Sequence, residues 1–185
     1  METLEAISKR ASLKTCCSAQ DVEKEKIEKI LKAARLAPSA RNTQPWRFIV
    51  IKGRENVKNV VTKAFGEGNQ VVMEAPALII VCANPSDDVI AEEKEYYLFD
   101  LGLAVENMLL AATDLGLVTH PMAHVFEDKL KVLLGIPDEV RFVIATPLAY
   151  PAQGSYDKAA KERLSQRDRK ELKELVYMNA WGKPF

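Results

Sequence analysis

The chain is poor in the residues that most often announce a chemistry. It has three cysteines (Cys16, Cys17 and Cys82), two histidines and eight glycines in 185 residues. An odd cysteine count with no C-x-x-C and no zinc spacing excludes a disulfide scaffold and a cysteine-based zinc module, and it suits a reducing compartment. A vicinal Cys16–Cys17 disulfide would be strained, so packing is the better reading of that pair. The glycines form no G-x-x-x-x-G-K-[ST], no G-x-G-x-x-G and no G-x-S-x-G. A phosphate loop, a dinucleotide fingerprint and a hydrolase nucleophile elbow all lack sequence support. Gly66 and Gly68 make only a G-x-G fragment, which a simple turn explains.

Net charge is missing too. Lys+Arg and Asp+Glu are both 26, so no global field draws in nucleic acid or anionic lipid, and any anion site must be local. The longest apolar run, residues 75–83, is too short to span a bilayer, and METLEAISKR lacks a signal-peptide core. The expectation is a cytoplasmic protein with neither membrane nor nucleic-acid partners. No repeat and no low-complexity linker divides the chain, so residues 1–185 read as a single domain.

What is present is an ordinary globular mix, 48% hydrophobic and 28% charged. Apolar periodicity predicts a short helix over residues 3–8. Asp21 is the expected N-cap of a second helix, with Val22, Ile27, Ile30, Leu31 and Ala34 on one face and an end near Pro38. A strand over residues 46–51 stops at Gly53, and a helix over 57–65 stops at Gly66. The apolar run 77–83 has the pattern of a strand covered on both faces. Residues 98–118 are apolar nearly all round, with Asp100, Asn107 and Asp114 seven apart on one stripe; this predicts a central helix buried by its own domain or by a second subunit. A helix over 130–134, a buried strand over 141–147 and an amphipathic helix over 171–178 complete a pattern of about four strands among five or more helices. That is an α+β layered domain.

Two segments are tempting. In HPMAH, His120 and His124 would share a helix face as metal ligands, with Glu127 nearby, but Pro121 opposes a helix interior. A loop or the start of a strand is expected there, and no metal. The run 161–173 interleaves acids with bases as a solvated helix does; Arg163, Arg167 or Arg169 could alternatively turn inward to an anion.

The densest stretch is APSARNTQPWRF, residues 37–48. A helix ending at Pro38 leaves carbonyls unsatisfied, and Ser39, Asn42 and Gln44 can hydrogen-bond either that backbone or a planar polar ligand. Taken alone, the residues leave a capped turn and a ligand clamp equally open.

The longer stretch ARLAPSARNTQPWRFIVI resembles the A-P-S-x-x-N-x-Q-P-W-x-F segment of the nitroreductase family of flavin enzymes. RASLK (10–14) is similar to the family's R-x-S-x-[KR] motif. GNQ (68–70) stands where the family places an amide side chain, LGLAVENMLLAATDLGL resembles its interface helix, and RDR (167–169) matches a late basic pair. The resemblance spans nearly the whole chain. It implies a nitroreductase-like α+β fold, with a central mixed or antiparallel sheet flanked by helices, in an interlocked homodimer that binds FMN in two clefts lined by both chains. It further implies a phosphate held by Arg10, Ser12, Arg167 and Arg169, with Ala11 between the first two. Lys14 would face the pyrimidine edge of the ring, and Pro38, Ser39 and Asn42 would lie against the ribityl chain and ring edge. Asn69 would sit at the far pyrimidine edge, with Pro121, Met122 and Ala123 beneath the ring. The implied activity is electron transfer from NADH or NADPH to a small oxidised acceptor: a nitroaromatic, quinone, enone or flavin. No catalytic side chain is required, since the flavin is the reactive group. The alternative is a non-catalytic or specialised flavin-binding protein. The sequence departs from the family's best-known members, which often carry an acidic residue and a glycine after the proline of that loop: this chain has Ala123 and His124, which bears on substrate choice and on the N–H donor to the ring. It also leaves little room for a substrate-covering excursion between Asp88 and Tyr96.

Overall fold

A computed structural model describes residues 1–13, 17–18, 20–152, 162, 165 and 167–185. They fall into two compact units, Met1–Ser155 and Tyr156–Phe185.

The first unit is built around one strand. β2 (Ala77–Ala83) buries all seven of its residues. It lies between β1 (Trp46–Lys52) and β5 (Arg141–Leu148), antiparallel to both. Its alternating side chains feed two cores, as the two-residue period of a strand requires. Ala77, Ile79, Val81 and Ala83 join Ile27, Ile30 and Ala34 of α2 (Lys24–Arg35) and Leu101, Ala104 and Met108 of α4 (Tyr96–Asp114). Leu78, Ile80 and Cys82 join Val57, Val60 and Val61 of α3 (Arg54–Ala64) and Leu130 of α5 (Glu127–Leu134). Helices on both faces explain why β2 has no polar alternation, and each fully buried Leu or Ile contributes about 1.5–3 kcal/mol. A bulge between Val81 and Cys82 lets β5 carry one extra residue, Val143, without losing register.

Beyond β5 the sheet continues irregularly. Residues 118–122 run antiparallel along its outer edge, pairing at Val118↔Ala149 and Met122↔Ala145. Ser12, just after α1 (Thr3–Lys9), pairs in parallel with Thr119 outside that.

Several ends differ from the sequence expectation. Helix α2 starts at Lys24 with Glu23, not Asp21, at its N-cap. Val22 is 1% exposed, and the extended chain that buries it delays the helix. Helix α4 runs from 96 to 114 rather than 98 to 118, because Gly116 turns the chain at φ 75. Between Asp88 and Tyr96, where little room was expected, a hairpin forms from β3 (Ile90–Ala91) and β4 (Lys94–Glu95). In the second unit the C-terminal helix shrinks to α6 (Leu172–Leu175), held by a capping box between Glu171 and Glu174. Asn179 and Gly182 then take positive φ and fold the tail back, so that Tyr177 pairs with Pro184 and its ring lies 4.8 Å from that of Trp181. Among the described residues no helix is long and apolar enough to cross a membrane.

Candidate functional site

The corner between α2 and β1 is strained. Arg41, Asn42 and Gln44 have φ of 50, 59 and 52°, the left-handed region that costs an L-residue other than Asn about 1–2 kcal/mol. The surroundings hold it there. Ser39 Oγ accepts from Gln44 N at 2.9 Å, and the 3-10 turn closes through Asn42 N to Ser39 O at 2.9 Å and Thr43 N to Ala40 O at 3.1 Å. Two carboxyls fix the turn from outside: Asp100 Oδ2 accepts from Ala40 N at 2.6 Å, and Asp88 Oδ1 from Thr43 Oγ1 at 2.9 Å. Arg47 braces the exit by donating to Gln44 O and pairing with Asp87 at 3.0 Å. Pro38 and the Asn42 side chain are exposed. Backbone strain over-determined by its surroundings in this way clusters at functional sites.

At the other edge of the sheet, Arg10 Nη1 lies 3.4 Å from Ser12 Oγ, and Arg10 Nε 3.9 Å from Glu106 Oε1. Leu13 N donates to Thr119 O at 2.8 Å, which joins this cationic segment to the loop 119–124. In the loop, His120 N donates to Thr146 Oγ1, and Met122 exchanges both backbone hydrogen bonds with Ala145. Met122 is buried, Pro121 half-buried and Ala123 exposed. Ala123 N and His124 N, at the loop's exposed end, donate no backbone hydrogen bond among the described residues. Asn69 Nδ2 donates to His124 O at 3.1 Å, so that amide is built into the rim of the loop. Its neighbour Gln70 faces inward and caps the end of α3 by donating to Val61 O and Phe65 O.

Gly66 stands hard against the exposed His124 side chain here. A Cβ at that position would stand 2.5 Å from the His124 ring, which also meets Phe126 edge-on at 5.8 Å. The segment is not a helix, so His120 and His124 do not share a helical face. Among the described residues no three metal-ligating side chains cluster. Burial pushes the Cys82 thiol up to about 11, which removes it as a nucleophile at neutral pH.

The sequence-predicted residues therefore form two groups in the first unit: Arg10, Ala11, Ser12, Asn69, Pro121, Met122 and Ala123 around the loop, and Pro38, Ser39 and Asn42 in the corner. From β1, where the corner enters the sheet, to Ser12 there are four strand spacings, about 19 Å. Lys14 lies outside the described residues. Arg167 and Arg169 belong to the second unit, where Arg169 Nη1 donates to Asp168 O. Sequence reasoning missed Asp88, Thr43 and the role of Gly66. It noticed Asp100 only as one of three polar residues on a stripe, yet each finds its own partner: Asp100 takes Ala40 N, Asn107 Nδ2 donates to Ala33 O, and Asp114 pairs with the N-terminal ammonium at 2.7 Å.

The family model described as "Nitroreductase family" matches residues 7–72 and 66–150. A protein of Archaeoglobus fulgidus named "Putative NADH dehydrogenase/NAD(P)H nitroreductase" is 40% identical over 154 residues, 81% of this chain and 86% of its own. Among solved structures, a nitroreductase family protein of Clostridium difficile 630 superposes with a TM-score of 0.82 at 28% identity, over 97% of this chain and 99% of that one. A structure described as an oxidoreductase containing FMN superposes at 0.77 with 27% identity, over 96% and 92% of the two chains.

Proposed function

This chain belongs to the nitroreductase family, and from that premise we propose that it is an FMN-dependent oxidoreductase that takes electrons from NADH or NADPH and passes them to a small oxidised acceptor. The observation that carries the reading is the strained corner, whose exposed Asn42 and Pro38 are held in place by hydrogen bonds that serve no other visible end.

The residues present fit the cofactor. Arg10 and Ser12 offer charge-assisted donors to a phosphate at the open end of the loop; Arg167 and Arg169 are candidates on the motif resemblance alone. Asn42 and Ser39 can bond the polar edges of a planar ring, and Pro38 supplies a wall. The open N–H groups of Ala123 and His124 suit the ring's reactive nitrogen, while Asn69 stiffens the loop that presents them. By the same resemblance Lys14 would face the pyrimidine edge, where a fixed cation favours the charge that develops on reduction. When bound, FMN would supply the hydride-accepting and electron-donating chemistry; the protein binds, orients and shields it.

The two residue groups lie at opposite edges of one sheet, as they must if each cleft takes its corner from one copy and its loop from another. A homodimer is therefore part of the reading. It is supported by apolar surface left open in a single chain, with Phe99 of α4 63% exposed and Leu36 beside α2 76% exposed. Sedimentation should give a dimer at micromolar concentration, and a monomer would contradict the shared cleft.

The decisive test is the visible spectrum of purified protein, then identification of what heat releases. A flavin band, FMN in the supernatant and quinone-dependent oxidation of NADH or NADPH are expected. Flavin-replete protein without turnover would leave the non-catalytic alternative. Arg10→Ala should loosen FMN at least about tenfold, the loss of one charge-assisted hydrogen bond.

A further inference from the structure

Two carboxyls from different parts of the chain converge on the three-residue turn of the corner. Asp100 is the fifth residue of α4 and is 2% exposed; its Oδ2 accepts from Ala40 N. Asp88 stands at the base of the β3–β4 hairpin, where its Oδ1 accepts from Thr43 Oγ1 and, at 2.7 Å, from Val89 N. Asp88 Oδ2 is buried and accepts from no donor among the described residues. Asp100 grips the same turn at Ala40, whose carbonyl accepts from Thr43 N, so the two carboxyls are held close together.

Ionised carboxylates only accept hydrogen bonds, so two of them cannot bond one another. With Asp100 buried and Asp88 half-buried beside it, they would repel and leave the buried Asp88 Oδ2 without a partner, at a cost that a single proton between them removes. We propose that Asp88 and Asp100 share one proton and act as positioning residues, gripping the left-handed corner in the conformation that receives FMN. The role in cofactor binding rests on the flavin reading above; the shared proton does not.

The electrostatics agree. Burial raises the Asp100 carboxyl above the ordinary Asp range, the Ala40 N–H pulls it back, and Asp88 raises it again through charge and a hydrogen bond. α4 packs on α1, α2, β1, β2 and β5, and among the described residues none of these brings a charged group to bear on Asp100. A pKa raised on folding stabilises below the unfolded value of about 4, and that support is lost as pH climbs through the raised value. The corner should therefore be tightest on the acid side and loosen toward alkaline pH. The hairpin starts at Asp88 and should loosen with it.

The test is a carbon-13 NMR titration of the aspartate carboxyls in the full chain, together with FMN dissociation constants between about pH 5 and pH 8. Wild type should keep one aspartate carboxyl protonated above the ordinary Asp range, and Asp100→Asn should lack that signal. Asparagine keeps an acceptor for Ala40 N and adds donors for Asp88, so this variant should bind FMN about as well as acidic wild type. The ratio of wild-type to variant dissociation constants should rise with pH, by up to about tenfold per pH unit above the pair's titration. Ionisation of the FMN phosphate affects both proteins and cancels in the ratio. Asp88→Asn should behave likewise, and Asp100→Ala should weaken binding where Asp100→Asn rescues it. If every aspartate titrates near its ordinary value, or if the variant and wild-type FMN profiles run parallel, the proposal is wrong. Wild type that binds no FMN at any pH would overturn the flavin reading and the cofactor role with it, and the carboxyl titration would still decide the shared proton.

Discussion

The corner and the loop carry the same kind of residue and are held in opposite ways. The loop is fixed by main chain: Met122 against Ala145, Val118 against Ala149, Leu13 against Thr119. The corner is fixed by side chains: the Ser39 hydroxyl, the Asp88 and Asp100 carboxyls, and Arg47. Backbone pairing is indifferent to residue identity, so the loop can exchange an acidic residue and a glycine for Ala123 and His124 and keep its course. The corner depends instead on particular side chains, and of these only Ser39 is a fixed letter of the motif, while Thr43, Arg47, Asp88 and Asp100 are not.

The largest expected effect attacks the exception to that contrast. Gly66→Ala places a methyl group 2.5 Å from the His124 ring and should cost about 2 kcal/mol in denaturant unfolding, as overpacking does. Gly66→Ala combined with His124→Ala should recover most of it; failure to recover would mean that the backbone, not the ring, is what Gly66 accommodates.

Glu127 comes next. It anchors the far end of the loop to β5, its carboxylate accepting from Arg141 Nε at 3.1 Å and Phe142 N at 3.2 Å and pairing with Lys131. Burial alone would raise its pKa, but Arg141, the Phe142 N–H and Lys131 outweigh burial and hold it low. A lowered carboxyl stabilises above the unfolded value of about 4.3, and that support disappears as pH falls through the folded value. Glu127→Gln should lower stability at neutral pH by about 1.5 kcal/mol, and the gap from wild type should close in acid. Loop and corner thus respond to pH in opposite senses: both amide variants should converge on wild type in acid, but toward neutral pH Glu127→Gln should fall below wild type and Asp100→Asn rise above it. Thermal melts in which both variants departed in the same direction would break the comparison.

Legibility followed the same division. β2 was readable because burial on both faces leaves no polar alternation, and α4 because its apolar pattern is long. The hairpin was not, since two-residue strands give no period and its tip, Glu92 and Glu93 at φ 49 and 64°, uses neither Gly nor Asn. Asp88 was invisible because nothing in DDVIAEE distinguishes a gripping carboxyl from a solvated one. Thr43 was hidden because its partner lies 45 residues away. The motifs identified the residues that would touch a ligand and stayed silent on those that hold them.

Ser39→Ala should cost about 1 kcal/mol, since it removes the acceptor for Gln44 N, and it should weaken FMN binding as the turn relaxes. Loss of stability with unchanged FMN affinity would separate the turn from the site. The smallest effect runs the other way. Arg41→Asn should stabilise by about 0.5 kcal/mol, because Asn accepts the left-handed conformation more readily than Arg; a loss on thermal unfolding would show that the guanidinium has a role the corner's geometry does not reveal.

The β3–β4 hairpin closes its own base, with Tyr96 N donating to Val89 O at 3.1 Å directly above the Asp88 contacts. Its tip is free of the core, with Ile90 and the two glutamates exposed. Chain length can therefore change at Glu92–Glu93 without the change reaching the corner, because both ends of any insert are already tied. This makes the hairpin a natural graft point. A longer segment spliced there would extend over the neighbouring surface, and the protein could acquire a new cover while its older machinery stayed in register.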